Sequence, residues 1–117
     1  HTICTVTDAK KGQVYSAYFR YTGGELERIR DDEIVDVDSL CSAIEQSNEK
    51  IVIIGDLIYL NKSTFLDRIK GLVYFAPGHL CSPRASSCAV LGVQNIKKAK
   101  RDEVNTLVPR YIRGADA

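Results

Sequence analysis

His79, Cys81 and Cys88 fall within ten residues of one another, and Cys4 or Cys41 could supply a fourth ligand, so tetrahedral zinc is the first chemistry these side chains raise. The spacing opposes it. Structural zinc sites present ligands in pairs two to four residues apart in a loop, whereas Cys41 and Cys88 fall on expected apolar helix faces, where a thiol packs as a small hydrophobe. Nucleophilic catalysis needs a thiol or hydroxyl beside a base, and one of the two histidines is the terminal His1. His79 with Cys81 is the remaining pair, but a separation of two on a loop does not by itself bring the imidazole onto the sulfur. The run Asp31-Asp32-Glu33 lacks the glycine-bearing loop of alternating oxygens that a hard cation requires. Gly55-Asp56 stands where backbone amides commonly cradle a phosphate, yet one glycine beside a repelling carboxylate makes a weak anion site. Lys97, Lys98, Lys100 and Arg101 form a dense cationic cluster without interleaved aromatics, for which a solvated helix end is expected over an RNA site. No catalytic residue, no cofactor-binding residue and no metal ligand is therefore expected.

Positioning these residues takes an alternation of strands and helices. Ile3 to Asp8 and Gln13 to Thr22 are rich in β-branched and aromatic residues, and Lys10-Lys11-Gly12 between them has turn chemistry, which predicts a β-hairpin. In its second strand Tyr15, Ala17, Phe19 and Tyr21 share a face that is expected to be buried, because Gln13, Ser16 and Arg20 interrupt the other. Gly23-Gly24 turns the chain into a weakly alternating third strand, Leu26 to Ile34. Asp36 or Asp38 can cap a helix whose stripe is Val37, Leu40, Cys41 and Ile44, ending near Ser47-Asn48. Ile51 to Ile54 reads as a strand buried on both faces, followed by a helix with Ile58, Phe65, Leu66 and Ile69 inward, its start left open by Asn61 and Ser63. Gly71 stops that helix, and Leu72 to Phe75 forms a short strand ended by Pro77-Gly78. Ser82-Pro83 is expected to open a last helix with Ala85, Cys88, Ala89, Gly92, Val93 and Ile96 against a sheet, and the tail with Leu107, Val108, Tyr111 and Ile112 to pack on the body. The fold class expected is α/β, a mixed sheet with an antiparallel meander and flanking helices.

Composition agrees with a packed domain. The 117 residues are 44% hydrophobic and 26% charged, with 16 Lys plus Arg against 15 Asp plus Glu, which excludes disorder and gives no bulk polycation for nucleic acid. No apolar run approaches the roughly 20 residues needed to cross a bilayer, so no membrane association is expected, and no secretory leader is read. A core of this size needs no staples, and the four cysteines are expected as free thiols in a reducing compartment. The start at His1 and the lack of Met lead us to expect a natural terminus upstream or removed by processing.

Asp8-Ala9-Lys10-Lys11-Gly12-Gln13-Val14-Tyr15-Ser16-Ala17 resembles the Asp-Ala-Arg-x-x-Glu-Val-Tyr-x-Ala stretch that opens the second lobe of the TsaB (YeaZ) family. Three colinear matches follow: Ile51 to Asp56 looks like its buried strand ending in Gly-Asp, Pro83-Arg84-Ala85 like its Pro-Arg-Ala helix start, and Pro109-Arg110-Tyr111-Ile112-Arg113 like its Pro-x-Tyr-Leu-Arg ending. Lys10, Gln13 and Ile112 depart from the pattern mildly. The resemblance implies that residues 1–117 are a single domain, the C-terminal lobe alone, with the first lobe absent, and that the fold is one half of an actin-like, ribonuclease-H-like ATPase duplication. It implies a cytoplasmic, non-catalytic bacterial scaffold, historically labelled glycoprotease-like. That scaffold supports TsaD, with TsaE, in threonylcarbamoyl transfer to adenosine 37 of tRNAs reading A-starting codons. Its partners would be TsaD-like and TsaE-like proteins, tRNA indirectly through the complex, and a second copy mainly through the missing lobe. Cofactors, by the same implication, are none. Two alternatives stand beside it: a lobe of an ATP-handling or glycoprotease-type hydrolase whose site the missing half completes, and a tRNA-binding module using Lys97, Lys98, Lys100 and Arg101.

Overall fold

A computed structural model describes residues 1–113, and the last four residues of the expected single domain lie outside the described residues. The chain forms two compact units, His1–Ser82 and the segment from Pro83 onward.

The first unit begins as a meander: β1 (Thr2–Asp8), β2 (Gln13–Thr22) and β3 (Glu25–Asp36), followed by α1 (Val37–Ser47), β4 (Ile51–Ile54), α2 (Ile58–Ile69) and β5 (Val73–Phe75). The sheet order is β3-β2-β1-β4-β5, antiparallel among the first three strands and parallel for β4 against β1 and β5. The β1–β2 turn places Lys10, Lys11 and Gly12 all at positive φ, an unfavourable geometry for two lysines. Asp8 holds it, because its carboxylate accepts from the Lys10 amide and the Lys10 ammonium, each at 2.8 Å.

Register decides the core. Cys4 lies opposite Tyr18 and Ile53, so Cys4, Val6, Val14, Tyr18, Ile51, Ile53 and Val73 share one face, and Leu40, Cys41 and Ile44 of α1 with Phe65 and Ile69 of α2 pack in the same cluster. This corrects the expectation for β2. The helix-covered face carries Val14, Ser16 and Tyr18, whereas on the other face only Ala17 is buried, Tyr15 and Phe19 are partly buried and Tyr21 is exposed. Ser16 fits inside because its hydroxyl donates to Glu33 at 3.4 Å, and Arg20 sits at the rim donating to Thr2 at 3.0 Å and Glu49 at 3.3 Å. β4 is likewise one-sided: Ile51 and Ile53 are buried, Val52 and Ile54 only partly, since both helices share one face.

β3 alternates weakly for a visible reason. Its pairing with β2 slips between Ser16 and Tyr18 and again between Tyr18 and Phe19, so bulges reset the inward phase twice. Arg30 then stacks over the Tyr18 ring on the core face, and Arg28 over Phe19 on the other, each 4.7 Å from the centroid. The acidic run lies within this strand, with Asp32 paired to Arg28 and Glu33 to Arg30.

Asp36 caps α1, accepting from the Ser39 amide at 2.7 Å, and Asn48 closes it in the left-handed region. α2 has no side-chain cap and breaks at Asn61 (φ −130, ψ 16), one of the two residues that left its start open in the sequence. Arg68 ties the helices together, donating to the Asp38 carboxylate at 2.8 Å and to Ser42 at 3.1 Å.

In the second unit, α3 spans Ala85–Lys97, and Ser82 does not cap it. Arg84 is extended at the N-cap and its carbonyl accepts from Ser87 and Cys88, which starts the helix beyond the Ser-Pro pair. No residue of α3 is buried within its unit, and Leu107, Val108, Tyr111 and Ile112 of the tail are exposed there. One helix and short turns offer too little chain to bury an apolar stripe within the unit. Among the described residues no helix is long and apolar enough to cross a membrane.

Gly55 sits at φ +139, and a Cβ there would lie 1.9 Å from the Val6 carbonyl oxygen. Gly55→Ala should therefore cost more than about 3 kcal/mol of stability, read as a lowered urea midpoint; an unchanged midpoint would contradict this packing. The Ser39 amide, and then its hydroxyl, hold the Asp36 carboxyl below the usual carboxylate range. A lowered folded value means the contribution is present above the ordinary Asp pKa and is lost as pH falls through the folded one. Asp36→Asn should make the urea midpoint less sensitive to acidification below about pH 4, the range where free Asp protonates.

Candidate functional site

The parallel pairing of β1 with β4 brings the carboxyl ends of two strands side by side, the place where open α/β sheets hold ligands. A cleft of about 530 Å3 opens there, lined by Asp8, Gly12, Gln13, Val37, Asp38, Leu57, Leu60, Asn61 and Thr64. Gly55 and Asp56 lie at the end of β4, where a phosphate loop would be, but both are committed elsewhere. The bare Cα of Gly55 makes room for the Val6 carbonyl, and the Asp56 carboxylate accepts the Asp8 amide at 3.2 Å. The backbone opening is filled by β1, and the two carboxylates lining the cleft are each ion-paired, Asp8 with Lys10 and Asp38 with Arg68.

Asp8 is itself no proton donor. The Lys10 ammonium, and after it the Lys10 amide, hold its carboxyl below the usual range, so it is ionised at neutral pH. The reach of Asp8 and Asp56 toward one loop was missed from the sequence. The signal was an aspartate at the end of each of two strands, and it becomes legible once β1 and β4 are known to be neighbours.

The thiols are placed for packing. All four are free, with Cys4, Cys41 and Cys81 buried and Cys88 exposed. Burial pushes the Cys4 thiol up to about 12 against a smaller opposing hydrogen bond from Tyr18, and burial also raises Cys41. Neither supplies thiolate at neutral pH. The Cys81 sulfur points its hydrogen at the carbonyls of Ala76 (3.7 Å) and Pro77 (3.6 Å), while His79 is exposed on the short 3-10 turn Gly78–Leu80. Among the described residues no three His, Cys, Asp or Glu side chains gather in a metal-ligating group. Lys97 closes α3, with Lys98, Lys100 and Arg101 directly after it, all exposed.

Native protein treated with iodoacetamide near pH 8 should label Cys88 rapidly and Cys4, Cys41 and Cys81 only after unfolding, as read by peptide mass spectrometry. Native labelling of Cys4 at the Cys88 rate would contradict its placement in the core.

No family model matches the chain. It is 31% identical over 117 aligned residues to the tRNA threonylcarbamoyladenosine biosynthesis protein TsaB of Bacillus subtilis (strain 168), an alignment covering 98% of this chain and 48% of that protein. The chain spans about half the length of this curated relative. Its fold is shared with the crystal structure of an uncharacterized protein with similarity to peptidase YEAZ from Pseudomonas aeruginosa, at a TM-score of 0.66 and 13% identity, covering 96% of this chain and 49% of that one. The four motif matches thus stand inside an alignment that runs nearly end to end, and over most of its length this chain is similar to TsaB, corresponding to about half of that longer relative.

Proposed function

We propose that this chain is the C-terminal lobe of a TsaB-type scaffold subunit that, together with a first lobe, supports a TsaD-like protein and a TsaE-like protein in threonylcarbamoyl transfer to adenosine 37 of tRNA. The observation that carries the reading is the alignment over 98% of the chain to a protein named for threonylcarbamoyladenosine biosynthesis. The sheet order β3-β2-β1-β4-β5, with an antiparallel meander leading into parallel strands, supports reading the unit as half of an actin-like duplication. On this reading residues 1–117 make up that one lobe, and the protein works in the cytoplasm.

The lobe contributes shape, with no bond-making group, metal or cofactor of its own. Two features support that part. The Gly55 backbone is closed by Val6, and the Cys4 and Cys41 thiols stay protonated at neutral pH. Nucleotide handling and acyl transfer then fall to the partners.

The test is genetic and physical together. In cells depleted of their own TsaB, the intact two-lobe protein should restore threonylcarbamoyladenosine in tRNA nucleosides and capture TsaD, whereas this lobe alone should restore none. Failure of the intact protein on both counts, or nucleotide turnover by it without partners that changes in this lobe abolish, would overturn the scaffold reading.

A further inference from the structure

The near-zero net charge of the chain conceals a division. The first unit carries twelve Asp and Glu against nine Lys and Arg, whereas residues 83–113 carry seven Lys and Arg against two acids, Asp102 and Glu103. Between Asp67 and Asp102 there is no carboxylate side chain at all.

Backbone geometry gathers the charge further. α3 ends in a Schellman turn: the Lys100 amide donates to the Asn95 carbonyl at 2.8 Å, the Ala99 amide to the Ile96 carbonyl at 3.0 Å, and Ala99 itself adopts φ +56. This reversal folds Lys97, Lys98, Lys100 and Arg101 around one helix end instead of stringing them along a strand. Among the described residues Lys97, Lys100 and Arg101 make no ion pair, and the nearby Glu103 carboxylate is occupied by the amide and side chain of Asn105. The partial negative charge of a helix terminus is about half an electron, so one or two cations would satisfy it. Lys97, Lys100 and Arg101 alone exceed that and repel one another, and the surplus is suited to an external polyanion.

We propose that the C-terminal end of α3, through Lys97, Lys98, Lys100 and Arg101, is a contact surface for the phosphate backbone of tRNA. The choice of tRNA as the polyanion rests on the function proposed above; the cationic surface itself does not. It is a positioning contact that carries no base specificity, because lysines and a lone arginine at a helix end neutralise phosphates without reading base edges.

The test uses the chain of residues 1–117 and a fluorescently labelled, unmodified tRNA transcript, with binding read by anisotropy between about 50 and 200 mM KCl. The wild-type chain should bind with a steep salt dependence. The triple variant Lys97→Glu, Lys100→Glu, Arg101→Glu should bind at least tenfold more weakly at the low-salt end, with a shallower slope by about 2 to 3, the value expected for that many lost phosphate contacts. The neutral triple variant to Gln guards against helix damage by reversed charge, and should lose the same slope with α3 intact by circular dichroism. Lys11→Glu, Lys50→Glu, Lys70→Glu imposes the same change of net charge on exposed residues of the first unit and should leave binding within about twofold.

Three results would overturn the proposal: no binding at low salt, equal losses in both triple-Glu sets, or displacement of tRNA by polyglutamate at equal charge, which would point to an acidic protein instead. Capture of TsaD by the intact protein is read separately, so a scaffold without this RNA contact and a failed family reading give different patterns.

Discussion

Parallel pairing of β1 with β4, sealed where the Gly55 backbone rests on the Val6 carbonyl, is the constraint from which the rest of the first unit follows. It places the C-terminal strand ends together, and the Asp56 carboxylate, one residue on, can then accept the Asp8 amide. Asp8 in turn holds the strained lysine turn that fixes the β1–β2 register. A side chain at position 55 would push β4 away from β1, and the cluster formed by Cys4, Val6 and Ile53 with Phe65 and Leu40 would lose its floor.

The same constraint shapes what the first unit can do. A glycine after a parallel strand would elsewhere leave backbone amides open to an anion; here the opening is consumed by the neighbouring strand, and the cleft that remains is lined by ion-paired carboxylates, neutral polar side chains and apolar groups. Three of the four thiols lie inside, two of them held protonated by burial. The excess of positive charge is concentrated after Pro83 instead of at the strand ends.

Much of the fold could be read locally. Asp36 or Asp38 announced α1, of which Asp36 is the cap, Gly71 ended α2, and Lys10-Lys11-Gly12 marked the hairpin, because caps and turns are decided by neighbouring residues. The inward face of β2 could not be read this way. Ser16 looks like a solvent-facing residue until Glu33, seventeen residues on, accepts its hydroxyl, and only the helices choose which face is covered. The bulges of β3 erased its period, and the alignment of Asp8 with Asp56 needed the knowledge that two strands separated by two others in sequence are adjacent in the sheet. At α3 the small-residue stripe read as a buried face, but the second unit has no element of its own to cover it.

The two outer strands of the sheet differ greatly in length and end with the same result. β3 is twelve residues long but bulged and lined with charge, and β5 offers only three residues of backbone. Charge and bulges blunt the one border and brevity the other, so each is a poor template for an incoming ladder of main-chain hydrogen bonds. Fibrillar growth and strand exchange are disfavoured at both borders.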